Sequence, residues 1–146
     1  SHNTMPSTLE AAKIGAPVVQ FYEDAIPCVS QLALHYPLYS LSNGNAQLHL
    51  VGLDRFFKAA IHANGVGVGK PDLRIFEAAA QIAGVERHEL LHVGDDASLD
   101  VLGALDAGMQ AVWLNRQGKL WPHERCEPTL EIASLSELTQ ALLAPA

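Results

Sequence analysis

A chain of 146 residues, 49% of them hydrophobic and 17% charged, is about one domain long and lies well away from the low-hydropathy, high-charge composition of disordered chains. Its net charge of −7, from 16 acidic against 9 basic residues with no Lys/Arg cluster, argues against a nucleic-acid partner. Two distant cysteines, Cys28 and Cys126, exclude a scaffold stapled by disulfides, and no apolar run approaches the roughly 20 residues that span a bilayer, which predicts a cytoplasmic protein with no membrane partner.

Ser1 to Thr4 precede Met5 and read as a cloning remnant. Leu38-Tyr39-Ser40-Leu41 is a compact apolar run ended by the turn cluster Ser42-Asn43-Gly44-Asn45, so it reads as a buried strand opening into a loop. Asp72 can cap a helix whose apolar positions Leu73, Phe76, Ala80 and Ala83 follow helical spacing, with Gly84 to stop it. Leu90-Leu91-His92-Val93 is the next strand and breaks at Gly94-Asp95-Asp96. A helix from Ser98 to Ala107 ends at Gly108, and Ala111-Val112-Trp113-Leu114 is a further strand. Strand, helix and strand in so short a span form a βαβ unit, which predicts parallel strands and an α/β class. Thr129 to Ala133 reads as a last edge strand, and Ser134 or Ser136 can cap a C-terminal helix through Leu143.

Ligands of open α/β sheets sit beyond the carboxyl ends of the strands. Ser42, Asn43 and Gly44 follow one strand with a hydroxyl and main-chain N–H groups suited to an anionic oxygen. Asp95 and Asp96 follow another and, with Asp100, offer the hard oxygens that magnesium takes. Lys70, in the loop Gly65-Val66-Gly67-Val68-Gly69-Lys70-Pro71 before the capped helix, supplies one positive charge for a phosphate oxygen or a carboxylate nucleophile. Each signal has a plainer reading. Ser-Asn-Gly-Asn alone is an ordinary turn, and the glycine loop lacks the spacing of a phosphate-binding P-loop. Adjacent acids at a strand end are more specific, because they repel unless a cation or solvent accommodates them.

The order of these clusters resembles motifs two, three and four of the haloacid dehalogenase superfamily. The likeness runs through Leu41 to Ala46, then Gly69-Lys70-Pro71-Asp72 with Phe76, then His92 to Asp96 with Asp100 and Gly108-Met109. It is greatest toward the flavin mononucleotide and sugar-phosphate phosphatases, given Ser42 to Gln47 and Gly108 to Trp113. The resemblance implies a Rossmann-like, three-layer core with a parallel sheet, and a small phosphorylated metabolite as substrate. It implies that Ser42, Asn43 and Gly44 bind the phosphoryl group and that Lys70 steadies its charge and the nucleophile. Asp95 would be a magnesium ligand, Asp96 a second one, and Asp100 either a ligand or a support behind the ligands. Such enzymes attack phosphorus with an aspartate, and a second aspartate two residues later serves as acid and base.

The chain departs from that pattern at motif one, because its 146 residues contain no Asp-x-Asp-x-Thr or Val. Val18 to Ala25 is a strand-like run ending in acids, but it stands too close to Ser42 for a cap to intervene; Asp24 therefore reads as a linker acid or helix N-cap in preference to a nucleophile. Residues 5–27 are taken as a cap remnant and linker, and 28–146 as the core portion. The sheet is then expected to be incomplete at its central strand. Either Val18 to Tyr22 fills the place, or the chain pairs with a copy of itself as a homodimer.

Three functions follow: a phosphatase-family portion inactive or nearly so alone, a phosphatase whose nucleophile another chain supplies, and a non-catalytic binding or dimerising protein. A dehalogenase is less favoured, since that chemistry needs no metal. His92 reads as a packed core histidine, Trp113 and Trp121 as packing residues, and Cys28 as a buried thiol.

Overall fold

The computed structural model describes the backbone of residues 8–10 and residues 24–44 and 53–144 in full. Six strands are present among them: β1 (Thr8–Glu10), β2 (Leu38–Ser42), β3 (Ala59–His62), β4 (Leu90–Gly94), β5 (Gln110–Leu114) and β6 (Leu130–Ile132). They form one sheet in the order β3-β2-β1-β4-β5-β6 with every pairing parallel. The α/β class and the three-layer plan read from the sequence are those of the structure.

The central place is where the expectation needs correcting. It is occupied by β1, which pairs Leu9 with Leu38 on one side and with Leu91 on the other. Thr8–Glu10 thus belongs to the sheet and not to a cap remnant. Three residues suffice because both neighbours supply hydrogen-bonding partners, and a strand between two others leaves no unpaired peptide edge at its level. The argument for a homodimer from an open central place loses its premise. Val18 to Tyr22 lies outside the described residues.

Side chains alternate across the sheet as strand geometry requires. Leu38, Leu91, Val93, Val112, Leu114 and Ile132 face helices α1 (Ala25–Leu32) and α5 (Leu135–Leu143), packing with Val29, Leu32, Leu135 and Leu138. The proposed domain boundary at residue 28 falls inside α1. Tyr39, Leu41, Leu90, Ala111 and Trp113 face the other way, against Ile75, Phe76, Val101 and Ala104. These last belong to α3 (Leu73–Ala83) and to a π-helical stretch, Ala97–Leu102, that runs directly into α4 (Gly103–Asp106). The short α2 (Ala63–Val66) leads from β3 toward α3.

Helix ends follow their residues. The Asp72 side chain accepts from Arg74 N, and Gly84 closes α3 with φ at 72°, a left-handed value that glycine adopts without a Cβ penalty. Ser134 and Glu137 form a reciprocal capping box on α5. β3 has no counterpart in the sequence reading.

Asp24 precedes α1, but its carboxylate makes no cap bond there. It takes Arg116 Nη1 and Nη2 at 3.0 and 2.9 Å and Leu135 N at 2.8 Å, joining the start of α1, the loop after β5 and the start of α5. Burial opposes its ionisation, but the Arg116 donors and the Leu135 N–H outweigh burial and hold the carboxyl below its usual range. Asp24→Ala is expected to destabilise the chain by about 2 kcal/mol, the scale of charge-assisted hydrogen bonds lost together; a urea midpoint equal to the wild type's would show that the pair contributes nothing.

Candidate functional site

The carboxyl ends of β3 and β2 lie side by side, with Ser42 in register with His62, and the end of β4 follows on the far side of β1. β2 is buried along its whole length and opens at Ser42-Asn43-Gly44. The Asn43 amide is engaged by the glycine loop. Its Nδ2 donates to Lys70 O at 3.0 Å and its Oδ1 accepts from Lys70 N at 2.6 Å, so the side chain latches the glycine loop onto the end of β2. Gly69 permits that approach, because a Cβ there would stand 2.8 Å from Asn43 Oδ1.

Held this way, Lys70 turns inward, 5% exposed. Its Nζ donates to Asp100 Oδ1 at 2.5 Å and to Leu41 O at 3.3 Å. Asp100 is fully buried and also accepts from His92 Nε2 at 3.2 Å and from Asp96 N at 3.1 Å. Burial alone would raise the Asp100 pKa; the His92 and Lys70 donors together outweigh it and keep the carboxyl well below the carboxylate range. His92 is itself fully buried and meets the Phe76 ring edge-on at 5.6 Å. Because a carboxylate only accepts, the imidazole carries its hydrogen on Nε2 toward Asp100.

Asp96 caps the π-helical stretch, one carboxylate oxygen accepting from Ser98 N and Leu99 N at 2.9 and 2.8 Å. Asp95 stands exposed at the end of β4, with its carbonyl accepting from Trp113 Nε1 at 3.1 Å. A cleft of about 420 Å³ opens here, lined by Asp95, Asp96, Ser98, Trp113 and Lys119. Larger hollows lie elsewhere, one of about 470 Å³ between α1 and α5 beside Asp24 and Cys28, away from the strand ends.

The structure thus gathers Ser42, Asn43, Lys70 and Asp100 into one cluster, while Asp95 and Asp96 line the adjoining cleft. As a magnesium centre the set does not fit by itself. Asp100 is enclosed by three donors, Asp96 gives one oxygen to its cap, and among the described residues no group of three or more His, Cys, Asp and Glu is placed to hold a metal ion. His62 belongs to this neighbourhood and was not found from sequence. Reading Ala59-Ala60-Ile61 as a strand would have placed it at a strand end by the rule that found Ser42. Cys28 and Cys126 are free thiols, with the Cys28 thiol pushed up by burial. Among the described residues no helix is long and apolar enough to cross a membrane.

A parallel α/β sheet with a lysine–aspartate pair and an acidic cleft at its strand ends defines a hydrolase core of the haloacid dehalogenase type. A 2-haloacid dehalogenase from Pseudomonas syringae superposes with a TM-score of 0.80 at 40% identity, over 85% of this chain and 54% of that one. The family of haloacid dehalogenase-like hydrolases matches residues 7–108, and the chain belongs to it. Among curated relatives, the 5-amino-6-(5-phospho-D-ribitylamino)uracil phosphatase YigB of Escherichia coli is 39% identical over 118 residues, 78% of this chain and 49% of the relative. The pyrimidine 5'-nucleotidase YjjG of Escherichia coli is 38% identical over 108 residues, 70% of this chain and 48% of the relative. The chain therefore spans about half the length of these relatives.

Proposed function

We propose that this chain is the phosphate-handling portion of a phosphatase-type core, acting on a small phosphorylated metabolite in the whole enzyme and inactive or nearly so alone. The observation that carries the reading is the buried Lys70–Asp100 pair, latched through Asn43 to the strand end that bears Ser42. In this reading the Ser42 hydroxyl and the main-chain N–H groups of Asn43 and Gly44 take the anionic oxygens, and Lys70 supplies fixed positive charge behind them. Asp100 is then a positioning residue for Lys70; Asp95 would be the one carboxylate of this set left to a magnesium ion, whose remaining ligands the described residues do not supply.

Phosphoryl transfer of this kind needs a carboxylate nucleophile in line with the leaving group, and the 146 residues contain no Asp-x-Asp-x-Thr or Val to provide it. The purified chain, given p-nitrophenyl phosphate, flavin mononucleotide or sugar phosphates with magnesium, should release no phosphate above background. Magnesium-dependent turnover by the chain alone would overturn the proposal. If that turnover vanished in a folded Asp24→Asn variant, Asp24 would be the nucleophile. Restoration of turnover by a second chain would instead support a nucleophile supplied in trans.

A further inference from the structure

His62 closes β3 directly beside Ser42 and is half-buried. Its Nδ1 lies 3.2 Å from Ser42 Oγ and 3.2 Å from Gly44 O. The Ser42 hydroxyl itself donates to Gly44 O. A hydroxyl has one hydrogen, so in this arrangement Ser42 has none left for a phosphate oxygen. The carbonyl of Gly44 only accepts, and Ser42 Oγ, having donated, offers only lone pairs toward the ring. Two acceptors facing one ring nitrogen require that nitrogen to carry a hydrogen, which selects the Nδ1–H form of His62.

We infer that His62 is a positioning residue of the anion site, acting as the relief donor that frees the Ser42 hydroxyl. This rests on the reading of Ser42 as a phosphate contact. When an anionic oxygen arrives at the end of β2, the Ser42 O–H rotates from Gly44 O to the anion. The Nδ1–H of His62, already within reach of Gly44 O, takes over that carbonyl. No bond to hydrogen is broken, and the Gly44 carbonyl exchanges one protein donor for another already within reach. Without His62, the anion and the Gly44 carbonyl would compete for a single hydroxyl hydrogen.

Calorimetric titration of the purified chain with inorganic phosphate tests this, together with nitrogen-15 NMR of the imidazole. Ser42→Ala should weaken phosphate binding. His62→Phe, which removes the donor, should weaken it about tenfold, the scale of one hydrogen bond serving a charged group. His62→Asn, whose amide N–H can stand where Nδ1–H stood, should stay within about threefold of the wild type, an outcome that loss of packing alone would not produce. In the free protein the His62 signals should report hydrogen on Nδ1. An Nε2–H form, or phosphate affinity unchanged in His62→Phe but lost in Ser42→Ala, would overturn the role of His62 while leaving the anion site intact. Absence of phosphate binding by the wild type would overturn the anion-site reading and this inference with it.

Discussion

Lys70→Met is expected to destabilise the protein by about 3–5 kcal/mol, the cost of leaving one member of a buried ion pair without its partner. The side chains of Lys70 and Asp100 are 2% and 1% exposed, so water cannot replace the lost contact. Methionine keeps most of the lysine's volume, which separates the charge effect from a cavity effect. Asp100→Asn should cost a comparable amount, since it leaves the buried ammonium with neutral acceptors such as Leu41 O and no counter-charge. The double variant Lys70→Met/Asp100→Asn should cost clearly less than the sum of the two, because no unpaired charge remains. Urea unfolding of the four proteins reads these values, and strict additivity would show that the residues do not act as a pair.

Asp100, held by His92 and Lys70 together, also sets a pH dependence. The folded-state pKa of Asp100 lies below its unfolded value, which is about 3.9 for an aspartate. Its contribution is therefore complete above that value and is lost as pH falls from about 4 toward the folded pKa. The wild type should lose stability over this window more steeply than Asp100→Asn does. Equal slopes would mean that the carboxylate is no better held in the native state than in the unfolded chain.

Much of this arrangement was legible in the residues, for local reasons. Asp72 and Gly84 bound α3, and Ser134 with Glu137 starts α5, because caps act within a few positions. β2, β4 and β5 announce themselves as short apolar runs, since both faces of a parallel sheet are covered. β3 does not, because Ala59-Ala60-Ile61 is poor in β-branched residues and lies at the sheet edge with mixed burial. β1 is three residues long and becomes a strand through its two neighbours, a nonlocal cause that no pattern in Thr8-Leu9-Glu10 can express.

The site divides in the same way. Strand-end position singled out Ser42, Asn43, Gly44, Asp95 and Asp96 as candidates, and the structure places them at the ends of β2 and β4. What the clusters do to one another was hidden, because Lys70 and Asp100 meet across 30 positions of chain. Asp100, read from sequence as either metal ligand or support, is enclosed by three donors, and Asn43, taken as a phosphate contact, has its side chain committed to the Lys70 main chain. The helix expected from Ser98 to Ala107 begins as a π-helical stretch at Ala97. Ten residues of apolar pattern cannot separate that winding from an α-helix, although such stretches are frequent at functional sites.

Gly94→Ala should be the most damaging exchange of a hydrogen for a methyl in this neighbourhood. A Cβ at Gly94 would lie 2.4 Å from Asp100 Cβ and Cγ and 2.5 Å from its Oδ2, well inside van der Waals contact. Asp100 cannot yield cheaply, since its two oxygens are held by Lys70, His92 and the Asp96 N–H. The end of β4 cannot yield either while Gly94 stays in register with Trp113 of β5. Overpacking of this kind costs about 3 kcal/mol, the upper end of the usual range, and moving Asp100 would slacken the lysine pair at the same time. The effects should therefore not add. In an Asp100→Gly background, where all three obstructing atoms are gone, Gly94→Ala should cost less than in the wild type. If thermal unfolding instead shows the same penalty in both backgrounds, the need for glycine at this strand end does not come from Asp100, and the close approach of β4 to the charged cluster is not what the position is built for.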